Sequence, residues 1–543
     1  MKHYFQSLQQ VIIENWGRKA LCNYHGSSFT FGEMFGQIKR LHILFELSGI
    51  SKGDKIAICG RNRAEWGICF LAVNIYEAVA VPVLSDFIPD NISAIVDHSE
   101  SVLLFTDTEI WNKIDPADIP SVRQVVNISD FSLLYDSLKD KSAGNDPDKF
   151  FRKKYPAGFS TKDVILPTGN DKDLAVINYT SGSTGDPKGV MIRYECFSAN
   201  VEYAQNNVPC HPGDNILSIL PMAHMFGMTF EMLYPLCCGA TINYLGKTPS
   251  PTLLLKAMQE VRPYLVIAVP MIFEKIYRSR IKPQIEKPSV RFLLGIPVLR
   301  SVVLSKMRSA IDDAFGGKVR EYIMGGAAVN PEVEEFLKRM RLHFTVGYGM
   351  TEAAPLMAYS SWRTFVPGSC GRAMDYVKLR IDSADPEHIV GEIQAKGVNL
   401  FSGYFNNESA TRAAFSDDGW FNTGDMGIID KRGNVYIKGR CKSLILSSNG
   451  QNIYPEEIEC EINSLSYVAE SLVVSRESKL VAIVRLDEDS IKNGDADLEN
   501  VAEEIMRTVN GKVPGYSQIC RVEFAKEPFQ KTPKQSIKRY LYK

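Results

Sequence analysis

The run Tyr179-Thr180-Ser181-Gly182-Ser183-Thr184-Gly185-Asp186-Pro187-Lys188-Gly189 packs small hydroxyl side chains, glycines and one ammonium into eleven positions. Glycines let backbone N–H groups close on an anion, hydroxyls add donors, and Lys188 adds a mobile positive charge. That chemistry suits a grip on polyphosphate. A P-loop needs Gly-Lys-Ser/Thr after four free positions, and Pro187 stands where its second glycine should be, so that reading fails. An ordinary Gly/Ser linker is the plain alternative. Against it stands the apolar stretch Leu174-Ala-Val-Ile-Asn178 immediately upstream, which reads as a buried strand. The loop is therefore expected to leave a sheet end, where α/β folds bind ligands.

Five more stretches follow in order: Leu220-Pro-Met-Ala-His-Met-Phe-Gly227, Met324-Gly-Gly-Ala-Ala328, Gly347-Tyr-Gly-Met-Thr-Glu352, Asp418-Gly-Trp-Phe-Asn-Thr-Gly-Asp425, and Lys438-Gly-Arg-Cys-Lys-Ser443 leading to Ser448-Asn-Gly-Gln-Asn-Ile-Tyr-Pro-Glu-Glu457. Singly, each has a bland reading. A Thr-Glu pair starts a helix, Gly-Asp and Gly-Arg form turns, and a lone histidine between methionines, His224, is ordinarily a satisfied core residue. Taken together and in this order, the six motifs resemble the adenylate-forming (AMP-binding) superfamily of acyl-CoA synthetases, nonribosomal peptide adenylation domains and beetle luciferases, over nearly the whole chain. The Gly403-Tyr-Phe-Asn-Asn407 segment and the Ser448–Ile453 version look most like fatty acyl-CoA synthetases.

The resemblance implies an acid–thiol ligase that uses ATP, Mg2+ and coenzyme A to make acyl-AMP and then acyl-CoA. It implies Thr180, Ser181, Gly182, Ser183, Thr184, Gly185 and Lys188 on the β and γ phosphates, Thr351 on the α-phosphate and Glu352 on magnesium. Gly325, Gly326 and Ala327 fit a strand end beside a flat adenine, with Tyr348 stacking on the same base and Gly349 next to it. Asp425 and Arg440 would take the ribose. His224, Met225, Phe226 and Gly227 would wall the acyl pocket, Lys442 would be a hinge, and Asn449 and Gly450 would line the pantetheine tunnel. The chain departs from the pattern near its end, where Lys531-Thr-Pro-Lys-Gln-Ser-Ile-Lys-Arg539 puts Ser536 at the place of an expected active-site lysine. In an extended segment Lys534, Ser536 and Lys538 share a face at about 7 Å spacing, so Lys534 or Lys538 is expected to substitute. Two alternatives stay open: loading of an acyl carrier protein in place of coenzyme A, and a non-catalytic acyl- or nucleotide-binding relative.

Such residues need a scaffold, and the patterning supplies one. Thr30-x-x-Glu33 predicts a capping box opening a helix with Met34, Ile38, Leu41 and Phe45 on one face. Lys55–Cys59 and Ala78–Val83 read as buried strands around a helix from about Arg63 to Tyr76. The same alternation recurs to Val319–Met324, predicting an α/β protein of layered, mostly parallel sheets. Beyond Tyr436 the pattern changes to a small α+β unit that includes a helix with Leu498, Val501, Ile505 and Val509 on one side. The expected domains are 1–439, the adenylation domain, and 440–543, a mobile C-terminal domain.

Length and composition agree: 543 residues, 45% hydrophobic, with 62 basic and 63 acidic residues for a net charge of −1. No field gathers nucleic acid, and partners are expected to be small molecules. Eleven cysteines lack metal spacing and read as reduced cytosolic thiols. The N-terminus lacks a signal-peptide pattern and no stretch reaches bilayer-spanning length, so a cytoplasmic protein is expected. Phe292–Leu304 is apolar; a buried helix and loop accounts for it, and peripheral contact with a membrane is the competing reading.

Overall fold

All twelve residues of the helix Ala64–Ile75 are buried, Trp66 and Phe70 among them with rings stacked at 5.7 Å. A helix without a wet face must lie inside the protein. This one contacts Lys55–Cys59 and Val79–Val83 of one large sheet and Lys19–Asn23 of the other, so one core joins both sheets. The computed structural model describes residues 1–138, 146–181, 187–247, 250–446, 452–465, 467–476, 479–487, 498–531 and 537–542.

The first seven-stranded sheet runs Leu133–Asp136, Gln124–Asn127, Leu103–Thr106, Lys55–Cys59, Val79–Val83, Leu174–Ser181, Pro187–Arg193. Its inner pairs are parallel and its two outer pairs antiparallel. The second runs Phe344–Val346, Glu321–Met324, Leu265–Ala268, Asn215–Ser218, Thr241–Tyr244, Lys19–Asn23, Ser28–Thr30, parallel except for the last pair. The layered α/β expectation holds. So does the capping box: Glu33 N–H donates to Thr30 Oγ1 at 3.1 Å, Thr30 N–H donates to Glu33 Oε2 at 2.8 Å, and Met34, Ile38, Leu41 and Phe45 are all buried.

An antiparallel sheet of Val377–Asp382, Gly391–Gly397, Phe421–Ile429 and Val435–Arg440 follows. The chain then makes a tight turn at Cys441–Ser443 and builds a small α+β unit around Val468–Arg476, Lys479–Leu486 and Arg521–Phe524. Ile458, Ile462, Val473, Val484, Ile505 and Val509 form its own core. Leu498, expected inside, is 48% exposed, because it opens its helix and only Ile505 and Val509 in the later turns are buried. All eleven cysteines are free thiols.

One expectation is overturned more thoroughly. Phe292–Leu304 is not a buried helix and loop but two helices, Pro288–Gly295 and Pro297–Ala314, with no buried residue in either. Each proline sits at a first helical position, where its fixed φ and missing N–H start a helix at little cost. The pair lends only the half-buried Leu304, Met307, Ile311 and Ala314 to a neighbouring core, which leaves Phe292 and Val298 in solvent. Among the described residues no helix is long and apolar enough to cross a membrane.

The central helix generates a stability prediction. Trp66→Ala should cost about 3–5 kcal/mol by opening a cavity where the two sheets meet. Urea unfolding should show a lower midpoint at unchanged slope.

Candidate functional site

The Tyr179–Gly189 run includes two paired strands. Leu174–Ser181 continues two residues past Tyr179, and Pro187–Arg193 returns antiparallel with Thr180 opposite Lys188 and Ser181 opposite Pro187. Thr180 and Lys188 therefore sit on paired strands, which corrects the eleven-residue loop; Pro187 tolerates this because it is the first residue of its strand. Gly182, Ser183, Thr184 and Gly185 lie outside the described residues.

Gly403–Phe405 lies along the returning strand. Met191 N–H donates to Gly403 O at 3.0 Å and Phe405 N–H to Gly189 O at 2.7 Å. This brings the Tyr404 ring to 5.0 Å from Lys188 Nζ, while its hydroxyl donates to Glu352 Oε1 at 3.0 Å. Burial and the Glu352 charge both raise the Tyr404 pKa, so the phenol stays a donor at neutral pH. Glu352, 8% exposed, and the buried Thr351 share one 3-10 turn, Thr351–Ala353. Sequence reading quoted Tyr404 only as a family marker and missed its position, since nothing in the spacing shows that 404 meets both 188 and 352.

Among the described residues Tyr404 is the one side chain donating to the Glu352 carboxylate, and no group of three or more His, Cys, Asp or Glu gathers anywhere. A protein cage for a cation is thus lacking there. A single buried carboxylate completed by phosphate oxygens and water is the donor set magnesium takes in nucleotide sites, so the residues fit that ion.

The Leu220–Gly227 stretch follows the second-sheet strand Asn215–Ser218 and lies against the first sheet before the chain returns to the second at Thr241–Tyr244, and buried or half-buried side chains hold its backbone. Glu231, in the π-helical turn Gly227–Leu233, accepts from Ile219 N–H at 3.1 Å, Leu220 N–H at 3.0 Å and Ser218 Oγ at 2.9 Å. Asn62 donates to Leu220 O at 2.6 Å and accepts from Met222 N–H at 2.9 Å. Asn178, on the strand Leu174–Ser181, donates to Ala223 O at 2.8 Å. His224 is half-buried, and its Nδ1 accepts the Phe226 N–H at 3.3 Å, which assigns the ring a turn-closing hydrogen bond. Met225 is fully buried. A Cβ on Gly325 would stand 3.1 Å from Phe226 Cζ, so the glycine at this strand end lets the two motifs touch. Gly326 turns away at φ +82°, and Gly326 and Ala327 are exposed.

Asp425 and Arg440 face each other on adjacent antiparallel strands, with Oδ1 3.2 Å from Nε. Tyr348 donates to Asp425 Oδ2 at 2.8 Å; Gly349, next to it, pairs with Leu356. Burial lifts the Asp425 pKa above the ordinary carboxylate range, and Arg440 opposes it. Lys442 occupies the Cys441–Ser443 turn directly after. Lys538 is half-buried beside Arg539, which pairs with Glu456 at 3.6 Å; none of the described contacts joins Lys538 to Lys188, Thr351 or Glu352. Lys534, Ser536, Asn449 and Gly450 lie outside the described residues.

A family model described as AMP-binding enzyme matches residues 10–405, and one described as AMP-binding enzyme C-terminal domain matches 442–542. The chain belongs to the AMP-binding enzyme family. Among this enzyme's relatives, Long chain acyl-CoA synthetase 6, peroxisomal, of Arabidopsis thaliana is 29% identical, the match covering 82% of this chain and 66% of that protein. Long-chain-fatty-acid–CoA ligase FadD15 of Mycobacterium bovis is 26% identical over 85% of this chain and 78% of its own. Of solved structures, the anthranilate CoA ligase AuaEII in complex with anthranoyl-AMP aligns at TM-score 0.81 and 17% identity, covering 99% of this chain and 96% of that one, and shows the shared fold.

In this AMP-binding enzyme the Glu231 brace carries a pH signature. Burial raises the Glu231 pKa to about 8 against three opposing donors. The native state thus holds a proton that the unfolded chain releases near its ordinary 4.5, so this contribution to stability is full below 4.5 and lost as pH rises through 8. Glu231→Gln should flatten stability between those values, read by urea unfolding at several pH values; an unchanged slope would contradict the assignment.

Proposed function

We propose that this enzyme activates a fatty acid with ATP as acyl-AMP and then passes the acyl group to coenzyme A. One observation carries the reading: the Tyr404 phenol ties the Lys188-bearing strand to the Glu352 carboxylate, setting a cation and an anion close to a strand pair whose sequence carries hydroxyls and glycine. Family membership supplies the reaction class. Relatives named as long-chain acyl-CoA synthetases and ligases support the fatty acid and coenzyme A as substrates.

The acid needs no general base, being ionised at neutral pH with a pKa of about 4. Its oxygen attacks the α-phosphorus while the bond to pyrophosphate breaks. The coenzyme A thiol then attacks the acyl carbonyl, loses its proton and expels AMP. The obstacle in the first step is charge: two anions approach each other and pyrophosphate departs. Thr180, Ser181, Gly182, Ser183, Thr184, Gly185 and Lys188 would hold the β and γ phosphates, and Thr351 the α-phosphate. Glu352, with Tyr404 fixing its orientation, would hold magnesium, which when bound supplies charge neutralisation at the phosphates. Gly325, Gly326, Ala327, Tyr348 and Gly349 would frame adenine, Asp425 and Arg440 the ribose, and His224 through Gly227 the acyl pocket.

The second step needs a different environment from the first, so the C-terminal domain, taken from residue 440, is proposed to reorient about Lys442. Asn449 and Gly450 would then line the pantetheine path, and Lys534 or Lys538 would replace the lysine lost at Ser536.

The direct test is exchange of labelled pyrophosphate into ATP across a panel of fatty acids, with coenzyme A and a carrier protein compared as acceptors. Exchange with long-chain acids and thioester formation on coenzyme A are expected; no exchange with any acid would overturn the proposal. Lys442→Pro should impair one half reaction far more than the other, and equal loss would remove the hinge. Arg440→Gln takes away the cation that opposes burial of Asp425, so that carboxyl should titrate at higher pH. The acid limb of the exchange rate should accordingly shift upward in pH; a shift downward or none would detach Asp425 from nucleotide binding.

A further inference from the structure

The two helices Pro288–Gly295 and Pro297–Ala314 concentrate features that the reaction does not use. Phe292, Ile296, Val298, Leu299 and Val302, five large apolar side chains within eleven residues, are 70%, 36%, 76%, 38% and 49% exposed. A soluble surface scatters such residues singly; here five stand within eleven positions. Basic residues surround them. Between 282 and 308 stand Lys282, Lys287, Arg291, Arg300, Lys306 and Arg308 against the single acid Glu286, in a chain whose net charge is −1. Lys282 is paired with Glu332 and Arg308 with Asp312. Lys287, Arg291, Arg300 and Lys306 are exposed and have no carboxylate within ion-pair distance among the described residues. The local excess of positive charge is therefore not neutralised by the protein itself.

We propose that this helix pair seats on an anionic phospholipid bilayer. Side chains such as Phe292 and Val298, projecting from helices with no buried residue, match insertion at the boundary of headgroups and acyl chains, with lysine and arginine meeting the phosphates. A second copy of this chain fits poorly, because association through the same patch would bring two sets of unneutralised cations together. The bilayer alone supplies both an apolar interior and a dense negative surface. Peripheral docking of this kind needs no spanning helix, and none is found among the described residues.

The surface also has a place relative to the site. The chain reaches it from the strand Leu265–Ala268 through the helix Pro270–Ile276, and Ala268 O accepts the Gly325 N–H at 3.2 Å. A bilayer held there would lie on the segment leading out of the strand that backs the adenine-side glycines. Supply of bilayer-dissolved acid from that side is a consequence that rests on the proposed reaction. The docking itself does not rest on it.

Co-sedimentation of the full chain with vesicles tests the proposal without reference to catalysis. Vesicles of phosphatidylcholine mixed with phosphatidylglycerol should bind the protein, and pure phosphatidylcholine vesicles should bind it weakly. Binding should fall as sodium chloride is raised. The triple variant F292S/V298S/L299S should weaken binding at least about tenfold, from the loss of three inserted apolar groups. The variant K287Q/R291Q/R300Q/K306Q should bring binding to the level of neutral vesicles and abolish its salt dependence. Thermal unfolding of both should match the parent, since every altered side chain is exposed. Equal binding to neutral and anionic vesicles, or parent-like binding by either variant, would overturn the proposal. So would a dimer in size-exclusion chromatography that the triple variant dissolves, or protection of 288–304 from hydrogen exchange by an acidic carrier protein and not by vesicles.

Discussion

The backbone between Ile219 and Ala223 leaves the second-sheet strand Asn215–Ser218 and lies against the first sheet, outside any strand, before the chain returns to the second sheet at Thr241–Tyr244, and buried or half-buried side chains satisfy it. Glu231 takes the Ile219 and Leu220 N–H groups, Asn62 takes Leu220 O and Met222 N–H, and Asn178 takes Ala223 O. An unpaired peptide group buried here would cost about 1–3 kcal/mol, so several together would unfold the segment. The three braces come from three separate elements: the loop after the first-sheet strand Lys55–Cys59, the strand Leu174–Ser181 and a π-helical turn. The two sheets, the strand Leu174–Ser181 and the Leu220–Gly227 stretch therefore form one connected unit. The π-helical turn belongs to this logic, since its wider winding is a recurrent way of aiming a side chain that a regular helix would direct elsewhere.

The same principle extends to the nucleotide side. Thr180 and Lys188 stand on paired strands, and the Gly403–Phe405 segment is bonded along the second of these. Rigid strands define positions more closely than a free loop does. Tyr404 then spans from the Lys188 ammonium to the Glu352 carboxylate, which is held in a short turn whose backbone also accepts the Phe401 N–H at 2.8 Å. The positions of the Lys188 and Glu352 side chains are thus set by the fold before any substrate arrives.

How much of this the sequence revealed depended on the range of the interaction. Local chemistry was legible: the Thr30–Glu33 capping box, the continuous apolar strands at 55–59 and 79–83, and the order of six motifs all follow from neighbours within a few positions. Long-range pairings were not. Nothing at Tyr404 points to positions 188 and 352, and a glutamate in an apolar run such as Glu231 gives no sign of the backbone groups it will meet. The return strand at Pro187–Arg193 was hidden because its opening Pro-Lys-Gly looks like a turn. Phe292–Leu304 reads as buried because apolar composition reports only that burial would be favourable, whereas the segment forms two helices without a buried residue.

The Asp425–Arg440 pair constrains where any domain movement can begin. Its two sides are unequal: the Asp425 side chain is 8% exposed and that of Arg440 is 71% exposed. Parting them would cost arginine little, since water replaces the carboxylate, but would strand a buried charge whose pKa is already raised by its surroundings. A pivot placed before Arg440 would break this pair in every cycle. A pivot after it leaves Arg440 in the strand Val435–Arg440, still bonded across to Phe421–Ile429, and lets the chain rotate in the Cys441–Ser443 turn, where no ladder hydrogen bond has to open. The electrostatics of one carboxylate thus favour Lys442 over any residue of the preceding strand as the pivot of the proposed reorientation.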